Sequence, residues 1–294
     1  MSAPGVVVND TAIHDVGYRR YEGPREGVRG AWRALFGQGF RAMFGLGRPL
    51  KSKAVPAFVL ATTMLPCLAT LAASSATEGQ LPIMYGNLIE SQLILFVLFA
   101  AAQAPELFSH DQQHRVLSLI LTRDATRDVY ASARIAAVLC ALLVVCAAPL
   151  LLLYIGEIGI AADPASAFRQ MWPKAGPVLL QATLTAWVVG GVGAAMASMT
   201  ARRGYATASV IGVFLVAAAI ATGLDDLAGI SADASEFVDP LRSLHTMALL
   251  LFDEKNRAMA LSPPPRLWIL AGMALSVGSA GVLATFWRLR RVRV

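Results

Sequence analysis

The chain has 294 residues, 56% hydrophobic and only 15% charged, whereas a soluble globular domain is about a quarter charged. Its formal net charge is +6, and Cys67, Cys140 and Cys146 all lie in apolar runs, which excludes a disulfide framework and a cysteine-based metal motif. No G-x-x-x-x-G-K-[ST] phosphate loop occurs anywhere, so any ATP hydrolysis must come from another chain.

The first 53 residues read as a cytoplasmic N-terminal segment. Residues 13–25 are polar and turn-rich. Residues 28–48 have the pattern of an interfacial amphipathic helix. Val28, Trp32, Leu35, Phe36, Phe40 and Met43 fall within an arc of roughly 140° on a helical wheel. Arg33, Arg41 and Arg48 lie outside that arc, and Arg29 sits at its edge, where its stem would snorkel. Aromatic residues on one face and arginines on the other suit a helix lying on a membrane. Such a helix serves either as a plain anchor or as a mechanical element.

Six apolar runs follow. Residues 54–77, 135–156, 175–201, 204–224 and 267–287 contain no Asp, Glu, Lys or Arg, and 79–105 is broken only by Glu90. Each has the ~20 residues that a helix needs to cross a hydrocarbon core. The first is too long for a signal-peptide core and reads as the first anchor. The fold class expected is therefore all-α: a polytopic membrane protein with six transmembrane helices over 54–290 and a basic tail at 291–294. Gly190-Gly191-Val192-Gly193, inside the fourth run, predicts close helix packing rather than a nucleotide site.

The connections divide by charge. Those that share a side with the two termini hold nineteen Lys and Arg residues, and those on the other side hold six. The positive-inside rule then puts both termini in the cytoplasm of a cell-membrane protein. Trp172 and Trp268 fall at expected outer interfaces and Trp287 at an inner one. The basic balance reads as this topology signal together with anionic lipid headgroups, not as nucleic-acid binding.

Three parts outside the runs carry further expectations. In the segment 105–130, Pro105 marks a helix break and Ser109 caps a short helix reaching about residue 120. Thr122 or Asp124 then opens the next helix. This charged excursion between two spans is a natural docking surface for a soluble partner. The long loop 157–174 carries Arg169 and Lys174. The loop 225–266 is acidic, with a short apolar helix over Leu241–Phe252 and a stiff Pro263-Pro264-Pro265 entry to the last span. It reads as a lid closing the outer face or as a substrate-recognition element.

Candidate chemistry is sparse. His110-Asp111-Gln112-Gln113-His114 has the spacing of a zinc-protease helix, with Asp where Glu is usual. Glu106 lies one turn before. Asp is shorter than Glu, so it reaches a metal-bound water poorly. Intramembrane polar groups are costly and therefore informative. These are Asn87, Glu90, Gln92 and Gln103 in the second run, and Gln181, Thr183 and Thr185 in the fourth. Thr207, Ser209 and Thr222 follow in the fifth. No alternating series of intramembrane acids and bases is present, which argues against an ion-coupled pump.

This layout resembles the ABC-2 type membrane subunits of ATP-binding cassette exporters. The resemblance rests on six spans, a basic interfacial helix before the first, and the run Pro105-Glu106, Asp111-Gln112, Val116-Leu117, Leu119, Thr122-Arg123, Arg127 and Tyr130. The N-terminal Ile13-His14-Asp15-Val16-Gly17-Tyr18 and Gly23-Pro24-Arg25 are similar to actinobacterial members. The resemblance implies a permease without enzymatic activity of its own, holding no cofactor, with ATP and Mg on a partner. It implies two ATPase subunits and a second copy of this chain or a related permease, all in a lipid bilayer.

The resemblance also implies roles for particular residues. ATPases would dock on the coupling loop 105–124, at Glu106, Ser109, His110, Asp111, His114, Arg115, Leu117 and Arg123. They would also meet the interfacial helix with Trp32, Arg33, Phe36, Phe40 and Arg41. The substrate pathway would be lined by Asn87, Glu90, Gln92, Gln103, Thr207, Ser209 and Thr222. The other readings are a membrane scaffold that recruits an ATPase without transport, and a membrane metalloprotease using His110 and His114.

Overall fold

The computed structural model describes residues 27–77, 83–113, 126–228, 236–254 and 267–291, and no strand occurs among them. The helices in chain order are α1 (Gly27–Met43), α2 (Leu50–Ala76), α3 (Tyr85–Gln113), α4 (Arg127–Ile160), α5 (Pro164–Met199), α6 (Arg203–Ala228), α7 (Pro240–Leu251) and α8 (Leu267–Arg291). Six of them, α2 to α6 and α8, are long and apolar enough to cross a membrane. Each of the six apolar runs lies largely within one of these helices.

Several boundaries differ from expectation, each for a local reason. The N-terminal helix ends at Met43 rather than at residue 48. Gly45 and Gly47 take φ of +66° and +83°, a left-handed geometry that suits glycine, and the chain turns there into α2. The expected loop 157–174 is mostly helix. Only 161–163 separates α4 from α5, because Asp163 caps α5 by accepting from Ala165 N at 3.1 Å and Pro164 occupies the first helical position, a favourable start. Pro105 does not break α3, which continues to Gln113. Ser109 therefore lies inside the helix instead of capping one. The next helix opens at Arg127, with Thr126 accepting from Val129 N. The apolar helix expected over Leu241–Phe252 is present as α7.

α5 is the centre of the bundle, with 72% of its apolar core buried, against 17% for α6 and 22% for α8. α8 runs along α5 most extensively, followed by α4 against α5. Lipid tails are as apolar as leucine, so membrane helices gain from close packing of small residues rather than from hydrophobic exclusion. The Gly190-Gly191-Val192-Gly193 segment does this. A Cβ placed on Gly191 would overlap the Gly278 carbonyl oxygen of α8, one on Gly190 would meet Leu139 of α4, and one on Gly193 would meet Ala100 of α3.

The end of α3, the starts of α4 and α6 and the ends of α5 and α8 meet at one end of the bundle. α1 lies there too. Arg48, Arg134, Arg203 and Arg290 form ion pairs at this end, and we call it the basic end. Both ends of the described chain lie here, as an even number of crossings requires. At the opposite end α7 folds back into the bundle, burying Ser243, Leu244, Thr246, Met247, Ala248 and Leu249. Trp172, Trp268 and Trp287 are all exposed; Trp268 and Trp287 lie near the two ends of α8, and Trp172 lies two turns inside α5.

Candidate functional site

The basic end is built around two carboxylates of α3. Glu106 accepts from Arg48 at 2.7 Å through Oε2 and pairs with Arg203 through Oε1. One side chain thus ties the α1–α2 turn, α3 and the start of α6 together. One turn on, Asp111 Oδ2 accepts from Arg134 Nη2 at 2.7 Å and from the Tyr130 hydroxyl at 2.8 Å. Both Asp111 and Arg134 are buried. Two opposite charges held together away from water cost folding free energy to separate, so this pair is a fastening between α3 and α4.

α3 also closes the end of α5. A helix leaves its last carbonyls without intrahelical donors. Ser109 donates toward the carbonyls of Ala197 and Thr200 at 3.1 and 2.8 Å, and Gln112 donates to Ser198 O at 3.0 Å. Ser109 is fully buried. Its position in this contact explains why it is not a cap: the helix around it is anchored from outside. Asp128 in the first turn of α4 and Arg290 in the last turn of α8 form a two-bond pair at 2.6 and 2.9 Å, with each charge favouring its helix dipole. Both are more than half exposed, so solvent screens the pair and it adds little to stability.

α1 turns its aromatic face to this platform. Leu35, Phe36 and Phe40 pack against the core and Met43 is fully buried. Trp32, Phe36, Phe40 and Phe44 form a ladder with ring centroids 5.2, 6.1 and 5.2 Å apart, continued to Phe99 of α3 at 6.0 Å. The Trp32 indole donates to Ser132 Oγ at 3.2 Å. The face expected to lie on lipid is thus largely occupied by protein, because the ends of α3 and α4 offer it a packed surface. Arg33 and Arg41 remain exposed on the other side. His114, Arg115, Leu117 and Arg123 lie outside the described residues, as does the side chain of His110. Among the described residues no group of three His, Cys, Asp or Glu side chains is gathered that could hold a metal. Asp111, the acid between the two histidines, is committed to Arg134 and Tyr130.

The predicted pathway residues divide into three sets. Gln92 is buried and donates to Thr63 O at 3.1 Å and Cys67 Sγ at 3.3 Å, fixing α3 to α2. Gln103 is buried as well. Thr207 donates to Ala101 O at 2.9 Å and joins α6 to α3, whereas Ser209 and Thr222 bond their own helix at Ala206 O and Ala218 O, the usual behaviour of helical hydroxyls. Glu90 stands apart. Its side chain is 61% exposed on the flank of α3, with His245 Nε2 of α7 at 3.5 Å. Asn87 lies one turn before it, with Met84 Sδ at 3.3 Å from its Nδ2, and Ile94 and Leu98 continue the exposed strip.

The end opposite the basic one joins Gln181 and residues of the 225–266 loop to others, such as Tyr85 and Glu157, that carried no site expectation. Arg242 of α7 pairs with Asp225 at the end of α6. The Gln181 amide donates to Leu244 O at 3.0 Å, and Thr246 donates to Glu236 at 2.9 Å. Glu254 accepts from Gly86 N at 2.9 Å, and Tyr85 donates to Glu157 at 2.7 Å while stacking on Phe252 at 4.6 Å. Lys174 bonds the other oxygen of Glu157 at 3.1 Å. A legible signal did exist. Arg242 and His245 stand three residues apart in a short helix and so share a face. α7 reaches Glu90 of α3 through one and Asp225 of α6 through the other.

The arrangement therefore fastens α3 and α6 to each other at both ends. Glu106–Arg203 is the clasp at the basic end, Thr207 the bond between them, and α7 the bridge at the opposite end. The other flank of α6 is open, with Val213, Val216 and Ile220 exposed. No protein-family model and no curated protein matches the chain.

Proposed function

We propose that this chain is the permease subunit of an ATP-driven exporter of the ABC-2 type, working as a dimer with separate ATPase subunits at its basic end. The observation that carries this reading is the double fastening of α3 and α6. These are the two helices that the resemblance assigns to the substrate pathway. A push on the basic end at Glu106 is passed to both as one body, and through α7 to the opposite end. Such a shift of packed helices between two arrangements is a standard way to switch access. Glu90, Asn87 and Ser91 on the exposed flank of α3 supply polar groups where a purely lipid-facing helix would carry none.

In this reading the cytoplasmic side is the basic end, in accord with the charge asymmetry of the connections. The last turn of α3 and the residues after it form the contact with the ATPase, and Glu106 transmits rather than docks because both its oxygens are already paired within the chain. The test combines pull-down and reconstitution with a candidate ATPase subunit that carries a G-x-x-x-x-G-K-[ST] phosphate loop. Glu106→Gln should keep the ATPase bound and hydrolysing while ATP-driven export falls. Hydrolysis with no transport in the unaltered complex would favour the recruiting scaffold instead.

A further inference from the structure

We infer that the groove between the polar face of α1 and the turn at 44–49 is a binding site for the phosphate headgroup of an anionic phospholipid. The groove encloses about 520 Å³, and its charged lining is Arg33, Arg41 and Arg48, with no acidic residue. Arg48 is engaged by Glu106. Among the described residues, the guanidinium groups of Arg33 and Arg41 have no hydrogen-bond or ion-pair partner, so two cationic forks are available. They lie eight residues apart on one face of α1. Gly37 stands midway between them, and a Cβ placed there would meet nothing within 4 Å. The space between the two arginines is therefore open to a third group. Guanidinium forks match phosphate oxygens in a bidentate manner.

The choice of a lipid rather than a soluble phosphate rests on what adjoins the charges. Leu46 lines the same groove and is 51% exposed. Leu50 follows at the start of α2, 84% exposed, and Phe58, Leu65 and Leu68 continue the exposed face of α2 along the span. On a 100° wheel Leu50, Phe58, Leu65 and Leu68 fall within roughly 80° of one another. The opposite face, with Val59, Thr63 and Cys67, is buried. A cationic pocket at the membrane surface that opens onto an apolar track down a spanning helix has the outline of a headgroup with its acyl chains. The aromatic face of α1 is spent on protein, so these arginines are the part of the helix left to meet the bilayer.

The test uses the purified full chain in a neutral detergent, with lipid retention read by native mass spectrometry and unfolding by tryptophan fluorescence. Phosphatidylglycerol should be retained about tenfold or more over phosphatidylcholine, since each arginine near the surface adds about a factor of five. Arg33→Gln with Arg41→Gln should reduce the preference to about twofold or less. Gly37→Leu should do the same by filling the groove without changing charge, and it removes a helix glycine rather than a fold contact. Arg290→Gln, at the same end but outside the groove, should leave the preference intact. Equal retention of the two lipids by the unaltered chain would overturn the proposal, as would a preference that survives both groove variants or is lost equally in Arg290→Gln. Displacement of the lipid by millimolar glycerol 3-phosphate would assign the site to soluble phosphates and refute the lipid reading.

Discussion

Arg134→Met should be among the most damaging single substitutions in this chain. It takes the arginine partner away from the Asp111 carboxylate, in a place where Asp111 and Arg134 are 11% and 3% exposed at the side chain. The lost contact is a charge-assisted bond of 2.7 Å. At an effective dielectric of about 20 the attraction across ~4 Å is about 4 kcal/mol, and breaking a buried pair by removing one partner costs about 3–5 kcal/mol. Arg134 also donates to Gln38 of α1 at 3.3 Å and lies over the Tyr130 ring at 5.5 Å, so α1 should loosen with it. Reversible unfolding in mixed dodecyl sulfate micelles, followed by tryptophan fluorescence, reads the loss. Adding Asp111→Leu to Arg134→Met removes the buried carboxylate that has lost its arginine and should recover about 2 kcal/mol or more. An Arg134→Met protein within about 1 kcal/mol of the parent, or a double variant no better than the single one, would refute the account of this pair.

Three other outcomes follow from the same packing. Gly191→Val drives a branched side chain into the Gly278 backbone and should separate α5 from α8 at a cost of about 1–3 kcal/mol or more, seen in the same unfolding assay. Glu254→Ala removes the acceptor for Gly86 N at the start of α3 and should cost about 1 kcal/mol, with faster hydrogen exchange confined to the first turn of α3. Gln92→Leu deletes bonds to Thr63 O and Cys67 Sγ and should change stability by only about 1 kcal/mol or less, since side-chain bonds between membrane helices are weak in the net. A large loss of transport in Gln92→Leu with intact folding would show that this residue lines the pathway after all.

The six spans were legible because a stretch of some twenty residues without charge has few structural outcomes. The face of α1 was legible too, since aromatic periodicity marks a buried stripe. What that stripe would meet was not legible: periodicity says that Phe36 and Phe40 need cover and does not say whether lipid or α4 supplies it. The break expected at Pro105 failed for a related reason. Proline removes one backbone donor, and α3 is held past that point by tertiary bonds from Ser109 and Gln112 to the end of α5. Local preference cannot foresee those. The continuation of helix through Arg169 and Lys174 could have been read from Asp163-Pro164, a cap followed by proline at the first position. The candidate site divided in the same way. Glu106 and Asp111 were visible as charges in the right segment. Their commitment to Arg48, Arg203 and Arg134 depends on residues that lie 23 to 97 positions away in sequence.

The central proposal is an ATP-driven permease whose motor sits on another chain at the basic end. A photoreactive phenylalanine analogue placed at Gln113, the exposed last residue of α3, tests it most directly. Irradiated in native membranes, this chain should form one dominant adduct with a protein that carries a G-x-x-x-x-G-K-[ST] phosphate loop, in a yield that changes when ATP is supplied. The same probe at Trp172, near the opposite end, should form none. The absence of such an adduct at Gln113, or its equal formation at Trp172, would contradict the account.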